Sequence, residues 1–228
     1  MGAKKNGAVL YIRKFTVPKG STGREKHQLE HQAGLSLLKT GLHQHFGLEA
    51  GDLASKIQAG EKGKPYLSAY PHIHFNISHS GDIAVCALGA SPIGVDVEML
   101  RPVKLCSTAR MLSRRERAYL EGLPKEQREE ALFRFWTLKE SYAKALGVGL
   151  GMDFTKAEFS LSRPSQRAGC TDPGSTVQVL RSEPVWTGGE RGDGKKWRFV
   201  QLLWVHRYVI AVCGGEELRQ VCHIDGGT

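Results

Sequence analysis

The pattern of apolar and polar residues along the chain predicts several short strands and two long helices. Residues 24–47 carry leucines at helical spacing, and residues 125–146 form a second helical pattern that stops at Gly147. Ser113 and Glu116 have the spacing of a capping box, which predicts a short helix before the second long one. Residues 163–196 are rich in glycine and turn residues and are predicted to be loops. The apolar runs predict strands at 8–16, 72–78, 83–88, 94–98 and 157–162, with a closing hairpin over 197–205 and 208–215.

One tetrapeptide occurs twice in the predicted strands. The letters IAVC stand at 83–86 and again at 210–213, and His79 and His206 share the same offset of 127 residues. Four letters can match by chance between two apolar strands, but the shared histidine offset favours a duplication. We therefore expect an α+β fold with two similar halves related by a pseudo-two-fold axis, each a small, mostly antiparallel sheet packed with helices. The halves would span residues 1–103 and 104–228, with the ligand site in the cleft between them.

The segment GVDVE at 94–98 places two carboxylates on one side of a strand. Side chains alternate along a strand, so Val95 and Val97 face one way and Asp96 and Glu98 face the other. A solvated edge strand would explain this pattern, because charged residues are mostly exposed. The other explanation is a cation held between the two acids.

A third carboxylate, Glu140, lies on the second long helix, four residues before Lys144. Residues four apart share a helix face, and an ordinary surface ion pair is one explanation of the spacing. If Glu140 instead meets Asp96 and Glu98 in a cleft, the three acids need a hard cation, and Mg²⁺ prefers carboxylate and phosphate oxygens. Lysines, hydroxyl groups and an imidazole near these acids suit a ligand with several phosphates; they are Lys62, Lys64, Ser78, His79, Ser80, Lys139 and Lys144. The combination indicates Mg²⁺-assisted phosphoryl transfer.

Composition narrows the class of protein. The chain has 228 residues and a net charge of +9, so its surface attracts polyanions such as nucleic acid, anionic lipid, phosphorylated ligands or acidic proteins. Its five cysteines are scattered and contain no CxxC pair, which indicates neither a disulfide framework nor a zinc site. No apolar run approaches the roughly 18 residues of a membrane helix, and the N-terminal apolar run is too short for a signal peptide. We therefore expect a cytoplasmic protein with no membrane partner.

Four motifs, taken in order, resemble those of the 4′-phosphopantetheinyl transferases. They are GKPY at 63–66, FNISHS at 75–80, GVDVE at 94–98 and FWTLKESYAKALGVGL at 135–150. The likeness is to the long, single-chain, pseudo-dimeric type that activates surfactin synthetase. It implies a Mg²⁺-dependent enzyme that moves the phosphopantetheine arm of coenzyme A onto a serine of an apo acyl or peptidyl carrier protein. Adenosine 3′,5′-bisphosphate would be released, and the carriers would belong to fatty acid, polyketide or nonribosomal peptide synthesis.

The resemblance also implies roles for single residues of the metal and phosphate site. Asp96, Glu98 and Glu140 would hold Mg²⁺ on the pyrophosphate, and Glu140 would also take the proton of the serine, directly or through water. Lys144 would contact the pyrophosphate and steady the developing charge. Lys139 would support the same region.

Further residues would bind the rest of coenzyme A. Lys64 and Pro65 would border the pocket for adenine and the 3′-phosphate, and Ser78 and His79 would contact phosphate oxygens. The family usually has an arginine in its first helix, but here that region reads Glu30, His31 and Gln32. Arg24 or Lys26 could replace it, and the sequence assigns neither.

The basic charge suits an acidic carrier protein as partner. Its docking face would be the arginine-rich segment with Arg110, Arg114, Arg115 and Arg117, although a solvated helix face explains these residues equally well. The two halves would supply both sides of the cleft, so a monomer is expected. Two other classes fit less of the sequence. A Mg²⁺-dependent nuclease or phosphatase does not need the GKPY and FNISHS motifs, and a nucleic-acid binder needs exposed aromatics among basic residues. We therefore expect no nucleic-acid partner.

Overall fold

The fold is that of a computed structural model, which describes most of the chain. The described residues are 7–49, 51, 53–103, 109–161, 179–182, 185–188, 197–204, 207–215, 218 and 222–225. The described residues include the α-helices α1 (Gly23–Phe46), α2 (Arg114–Gly122) and α3 (Lys125–Leu146). The strands are β1 (Val9–Lys14), β2 (Ile57–Ala59), β3 (Pro65–Leu67), β4 (His74–Ser80), β5 (Ile83–Gly89), β6 (Gly94–Met99), β7 (Glu158–Ser160), β8 (Val179–Ser182), β9 (Val185–Gly188), β10 (Arg198–Trp204), β11 (Tyr208–Gly214) and β12 (Cys222–Asp225).

Two four-stranded sheets form the centre of the molecule. The first has the order β12-β1-β5-β4, and the second has the order β6-β11-β10-β8. All neighbours are antiparallel except β1 and β12, which run parallel. The small pairs β2-β3 and β7-β9 lie outside these sheets. The predicted α+β class, with small and mostly antiparallel sheets, is confirmed.

The apolar side chains fall into layers. One face of each sheet contributes to a shared core that includes Leu10 and Val85 from the first sheet and Val97 and Ile210 from the second. The other face of the first sheet packs against α1, and the other face of the second packs against α3. The order is helix, sheet, sheet, helix, and each sheet is therefore covered on both faces, as layered domains require.

The two sheets repeat one chain order. The first half runs β1, α1, β4, β5, and the second runs β6, α3, β10, β11. In each half the last strand lies between the other two. Both IAVC segments lie on these central strands, where Cys86 and Cys213 are buried. The repeated order of elements agrees with a duplication. The pseudo-two-fold axis stays a prediction, and His206 lies outside the described residues.

The boundary between the halves differs from the expectation in two places. The GVDVE strand, β6, pairs along its whole length with β11 and so belongs to the second sheet rather than to the end of the first half. The C-terminal strand β12 returns to β1 of the first sheet. Both differences arise from pairing between distant parts of the chain, on which the local pattern carries no information.

The predicted helix signals are present. Ser113 accepts a hydrogen bond from the Glu116 amide, and the Glu116 side chain accepts one from the Ser113 amide, so the capping box of α2 is confirmed. Helix α3 stops at Gly147, whose φ of 69° is in the left-handed region that glycine adopts without strain. None of the described helices is both long and apolar enough to cross a membrane.

A glycine lets α3 approach β6 closely. A Cβ atom at Gly94 would lie 2.0 Å from the Ser141 carbonyl oxygen and 2.4 Å from the Ala145 amide nitrogen. The helix backbone therefore rests directly on the start of β6. This contact sets the distance between α3 and the acids that follow on the same strand face.

Candidate active site

The predicted site residues meet where α3 crosses the neighbouring ends of the two sheets. Lys144 of α3 places its Nζ atom 2.6 Å from Oδ1 of Asp96 on β6 and 3.0 Å from Oγ of Ser78 on β4. Ser78 also donates a hydrogen bond to Asp96 Oδ1 over 3.0 Å. Three residues from different parts of the chain thus form one closed triangle of polar contacts that spans both halves.

Strands β4 and β6 lie side by side in different sheets, and side-chain hydrogen bonds connect them. The Asn76 amide oxygen accepts a hydrogen bond from the Val95 amide at 2.8 Å. Ser80 Oγ accepts one from the Met99 amide and donates one to Glu98 Oε2. Polar residues two apart on β4, which share a strand face, therefore link the two sheets and leave polar groups at their junction.

The strand GVDVE has the alternation that the sequence predicts. Val95 and Val97 are buried in the core between the sheets, while Asp96 and Glu98 lie on the side of α3. Asp96 is only 5% exposed. Burial raises the pKa of its carboxyl group, although the Lys144 ammonium opposes that shift. A solvated edge strand is therefore wrong for Asp96.

One oxygen at the centre of the site has no partner. Asp96 Oδ2 is buried and makes no hydrogen bond, while Oδ1 receives both Lys144 and Ser78. Burial and the charge of Asp96 raise the pKa of Glu140 on α3, and Glu98 adds to the effect. The three carboxylates are thus near enough to act on each other electrostatically.

The three acids do not form a ready-made cage. Within the described part of the chain, no three histidine, cysteine or acidic side chains lie close enough to hold a metal ion together. Mg²⁺ commonly uses only one or two carboxylates and completes its shell with water and substrate phosphates. The partnerless Asp96 oxygen and the nearby Glu98 fit that mode of binding, and coordination by all three acids stays a prediction.

Glu98 has a cationic partner that the sequence analysis did not identify. Arg101 Nη1 lies 2.8 Å from Glu98 Oε2, and its guanidinium carbon lies 5.2 Å from the centre of the Phe133 ring. The Arg101 guanidinium therefore stacks on the Phe133 ring of α3 and at the same time neutralises the Glu98 carboxylate. The outer carboxylate of the site is held in place from both sides, by Ser80 and by Arg101.

His79 faces α1 and meets a carboxylate. Its Nδ1 atom lies 3.3 Å from Glu30 Oε2, and Glu30 also pairs with Lys26 over 3.6 Å. The ring of His27 lies edge-on to that of His79. Burial lowers the pKa of His79, and the Glu30 charge works in the other direction. An acid of α1, Glu30, thus lies beside His79 among basic neighbours.

Lys64 and Pro65 line a cavity of about 260 Å³ together with Tyr66, Phe75 and Pro92. The Lys64 ammonium points to the wall of that cavity and donates to the carbonyl oxygens of Ile93, at 3.0 Å, and Ala145, at 2.8 Å. Burial lowers the pKa of Lys64 to about 8. Binding of adenine and the 3′-phosphate in this cavity stays a prediction. The lysine also connects the cavity to the C-terminal end of α3.

The expectation that Lys139 supports the phosphates is wrong. Its side chain is fully buried, and its Nζ atom lies 2.8 Å from Glu116 Oε2. The same nitrogen donates to the carbonyl oxygens of Phe154 and Ala157. All three ammonium hydrogens are therefore engaged away from Glu140, because the residue before it on a helix points about 100° away.

The sequence analysis also missed Asn76. A signal was present, since Asn76 precedes Ser78 by two residues and so shares its strand face. No such signal existed for Arg101, which follows β6 in an irregular segment. Its pairing with Glu98 depends on how the chain turns after the strand.

Comparisons with known proteins identify the family of this chain. A sequence profile described as the 4′-phosphopantetheinyl transferase superfamily matches residues 92–213. A 4′-phosphopantetheinyl transferase of Bacillus subtilis is 36% identical over 119 residues, which cover 52% of each chain. The chain thus spans about half the length of that relative.

Two further relatives cover more of the chain. The 4′-phosphopantetheinyl transferase Sfp of Bacillus subtilis strain 168 is 29% identical over 162 residues, covering 65% of this chain and 71% of Sfp. The transferase HetI of Nostoc is 39% identical over 168 residues, covering 71% of this chain and 65% of HetI. The profile match includes β6, α3 and β11, and so contains Asp96, Glu140 and Lys144. The profile match covers more than half of the chain. The chain therefore belongs to the 4′-phosphopantetheinyl transferase superfamily.

Proposed function

We propose that the protein transfers the 4′-phosphopantetheine group of coenzyme A to a serine hydroxyl of an apo acyl or peptidyl carrier protein. The observation that carries the proposal is the junction of β4, β6 and α3. There a buried carboxylate with one partnerless oxygen, Asp96, lies against the ammonium of Lys144 and within electrostatic reach of Glu140. Family membership supplies the reaction class, and the junction supplies groups suited to it.

Coenzyme A would lie along the line from the cavity to this junction. Its adenine would enter the cavity at Pro65, which offers apolar walls from Phe75 and Pro92. Its pyrophosphate would reach Lys144 and Ser78, whose ammonium and hydroxyl groups are donors for phosphate oxygens. His79, the next residue on β4, has a side chain that is 38% exposed and would contribute a further donor.

The chemistry is one displacement at phosphorus. The serine oxygen of the carrier attacks the phosphorus that bears the pantetheine arm, while its proton passes to Glu140, directly or through one water. The bond from that phosphorus to the bridging oxygen breaks, and the oxygen leaves with adenosine 3′,5′-bisphosphate. Lys144 lies where it can neutralise negative charge that develops on the phosphoryl oxygens. The protein's part is chiefly to position the two substrates and to stabilise this charge.

Asp96 and Glu98, with Glu140 beside them, would hold Mg²⁺ on the pyrophosphate. When bound, the ion would neutralise the two phosphates and orient them for displacement. The Lys144 ammonium now beside Asp96 Oδ1 leaves Oδ2 free for this purpose. Arg101 would keep the Glu98 carboxylate from turning away.

The carrier protein would dock on α2. The described arginines of this segment, Arg110, Arg114, Arg115 and Arg117, are all exposed, as the docking hypothesis requires. Tyr119 on the same helix is 44% exposed and lines a cavity of about 250 Å³ beside Phe135 and Phe159. A basic rim around an aromatic recess suits an acidic helix with an apolar side chain at its centre.

Intact-protein mass spectrometry tests the proposal directly. An apo acyl carrier protein and an apo peptidyl carrier domain would each be incubated with this protein, coenzyme A and Mg²⁺, and a parallel reaction would contain EDTA. We expect the carrier to gain the mass of one phosphopantetheine group, and we expect EDTA to prevent the gain. A carrier whose modified serine is replaced by alanine serves as the control for site-specific transfer.

A folded protein that modifies neither carrier would overturn the proposal. Nuclease and phosphatase assays with Mg²⁺ would follow, because the acids and the basic surface would also serve a hydrolase. A gain of mass that survives EDTA would keep the reaction class and remove the role of Mg²⁺.

A further inference from the structure

Helix α3 is tied to the rest of the second half by an ion pair inside the protein. The side chains of Lys139 and Glu116 are both 0% exposed, and the Nζ–Oε2 distance is 2.8 Å. Lys139 also donates to the carbonyl oxygens of Phe154, at 2.7 Å, and Ala157, at 2.5 Å. The same ammonium group therefore also fixes the segment 154–157 against α3.

The carboxylate of Glu116 is as fully engaged as the lysine. Its Oε2 accepts the Ser113 amide at 2.8 Å, and its Oε1 accepts the Phe159 amide at 2.9 Å. Glu116, which completes the capping box of α2, thus connects three elements: the start of α2, the start of β7 and, through Lys139, the middle of α3.

The pair lies on a different side of α3 from the reacting groups. Glu140 and Lys144 are four residues apart and so share a face, which carries Lys144 to Asp96. Lys139 is one residue before Glu140, and an α-helix turns by about 100° per residue. A helix held from Lys139 by three directed bonds can adopt only one rotation about its axis, and that rotation directs Glu140 and Lys144 to β6.

Stability alone does not account for this pair. Removing two charges from water is costly, and replacement of a buried ion pair by neutral side chains of similar volume is often neutral or stabilising. An apolar contact, however, permits a helix to slide and turn, whereas directed bonds do not. We propose that Lys139 and Glu116 are positioning residues, which fix the rotation of α3 and thereby align Glu140 and Lys144 with the phosphates. This inference rests on the proposed transferase function.

The test removes the pair as a unit. The double variant Lys139→Met/Glu116→Gln leaves no unpaired charge in the interior, so we expect it to fold. We expect kcat for carrier modification to fall by about tenfold or more while KM for coenzyme A changes by less than about twofold. The variant Glu49→Gln, an acid-to-amide change at an exposed residue that follows α1 and contacts His43, is the matched control. The crystal structure of the double variant should show α3 turned and Lys144 Nζ displaced from Asp96.

The two possible errors can be told apart. A double variant with wild-type kcat, or one that keeps kcat but loses affinity for coenzyme A, would overturn the positioning role. If the double variant does not fold, Glu116→Asp, which keeps the charge for Lys139 but shortens the side chain that ties α2 to α3, gives the same split between kcat and KM. If the wild-type protein transfers nothing, the proposed function fails, and the crystal structure still decides whether the pair sets the rotation of α3.

Discussion

Lys144 Nζ lies 2.6 Å from Asp96 Oδ1, and the two residues come from elements that are 48 positions apart in the chain. Asp96 is almost fully buried, whereas the Lys144 side chain is 30% exposed. The pair therefore has one end in the interior and one end open to a ligand. A phosphate group that arrives from solvent would contact Lys144 first. It would reach Asp96, which lies deeper, only through a bound cation.

Asp96→Asn should remove activity without removing stability. Because burial raises the pKa of Asp96 in the folded protein, the ionised carboxylate opposes folding at neutral pH, and that cost is relieved as the pH falls. Asparagine keeps the shape and carries no charge. We expect transfer to fall by about 100-fold or more, and we expect the midpoint of urea unfolding at pH 7 to stay the same or to rise.

The pH dependence provides the control for this prediction. The stability advantage of the asparagine variant should shrink as the pH falls and Asp96 of the wild type takes up its proton. A variant that is clearly less stable than the wild type at pH 7 would mean that the contact with Lys144 outweighs the burial of the acid. The pKa of Asp96 would then be lowered in the folded protein rather than raised.

Glu140→Gln should reduce kcat and leave the binding of coenzyme A nearly unchanged. If Glu140 takes the serine proton, its loss costs about 10² to 10⁴ in rate. The glutamine has the same shape, so the circular dichroism spectrum should match that of the wild type. Because burial raises the pKa of Glu140, the thermal midpoint at neutral pH should stay the same or rise. Glu126→Gln, on the exposed first turn of the same helix, should keep full activity. Full activity of Glu140→Gln would exclude a role for this residue in the reaction.

The sequence predicted the central elements because their patterns are local. Valines and acids alternate on β6, a serine and a glutamate cap α2, and a glycine ends α3. Each of these signals depends on neighbours within about five residues, where periodicity and capping rules apply. The position of Asp96 beside α3 was implied by the family resemblance.

The parts that could not be predicted depend on long-range packing. A motif letter does not say which side of a helix faces a ligand, so Lys139 was placed at the phosphates although it is buried against Glu116. The parallel pairing of β12 with β1 joins segments more than 200 residues apart. The acid Glu30 beside His79 was visible in the sequence, but only the packing of α1 on β4 brings the two together.

His79 and Glu30 should have opposite effects on the binding of coenzyme A. If His79 donates to a phosphate, His79→Ala should raise KM for coenzyme A. Glu30 lies 3.3 Å from the same imidazole and places a negative charge near that phosphate, so Glu30→Gln should lower KM. In both variants kcat should change little. Repeating the titrations with dephospho-coenzyme A identifies the phosphate concerned, since the effects vanish if His79 contacts the 3′-phosphate. Unchanged KM values in both variants would remove His79 from the binding site.

Lys64 should give the protein a stability that rises with pH in the alkaline range. Burial lowers its pKa from 10.5 to about 8 in the folded protein, so between these values the unfolded chain binds more protons than the folded one. The free energy of unfolding must therefore increase with pH across this window. We expect the difference between wild type and Lys64→Met to grow in favour of the wild type from pH 8 to pH 10 in urea titrations.

The methionine variant separates Lys64 from the other titratable groups of the chain, because they are present in both proteins. Lys62→Met, two residues away and exposed, should show no such pH-dependent difference from the wild type. A difference between wild type and Lys64→Met that does not change with pH would mean that Lys64 is not desolvated. Its contacts with Ile93 and Ala145 would then act equally in both protonation states.

Gly94→Ala should separate α3 from β6. The added methyl group would lie 2.0 Å from the Ser141 carbonyl oxygen and 2.4 Å from the Ala145 amide nitrogen, and both belong to helix backbone that cannot move without the whole helix. Overpacking of this kind costs about 3 kcal/mol. Because the displaced helix carries Lys144 and Glu140, transfer should fall together with stability. Gly23→Ala, where a methyl group meets nothing within 4 Å, should leave both unchanged. A Gly94→Ala variant with wild-type unfolding midpoint and rate would show that α3 does not depend on this contact for its position over Asp96.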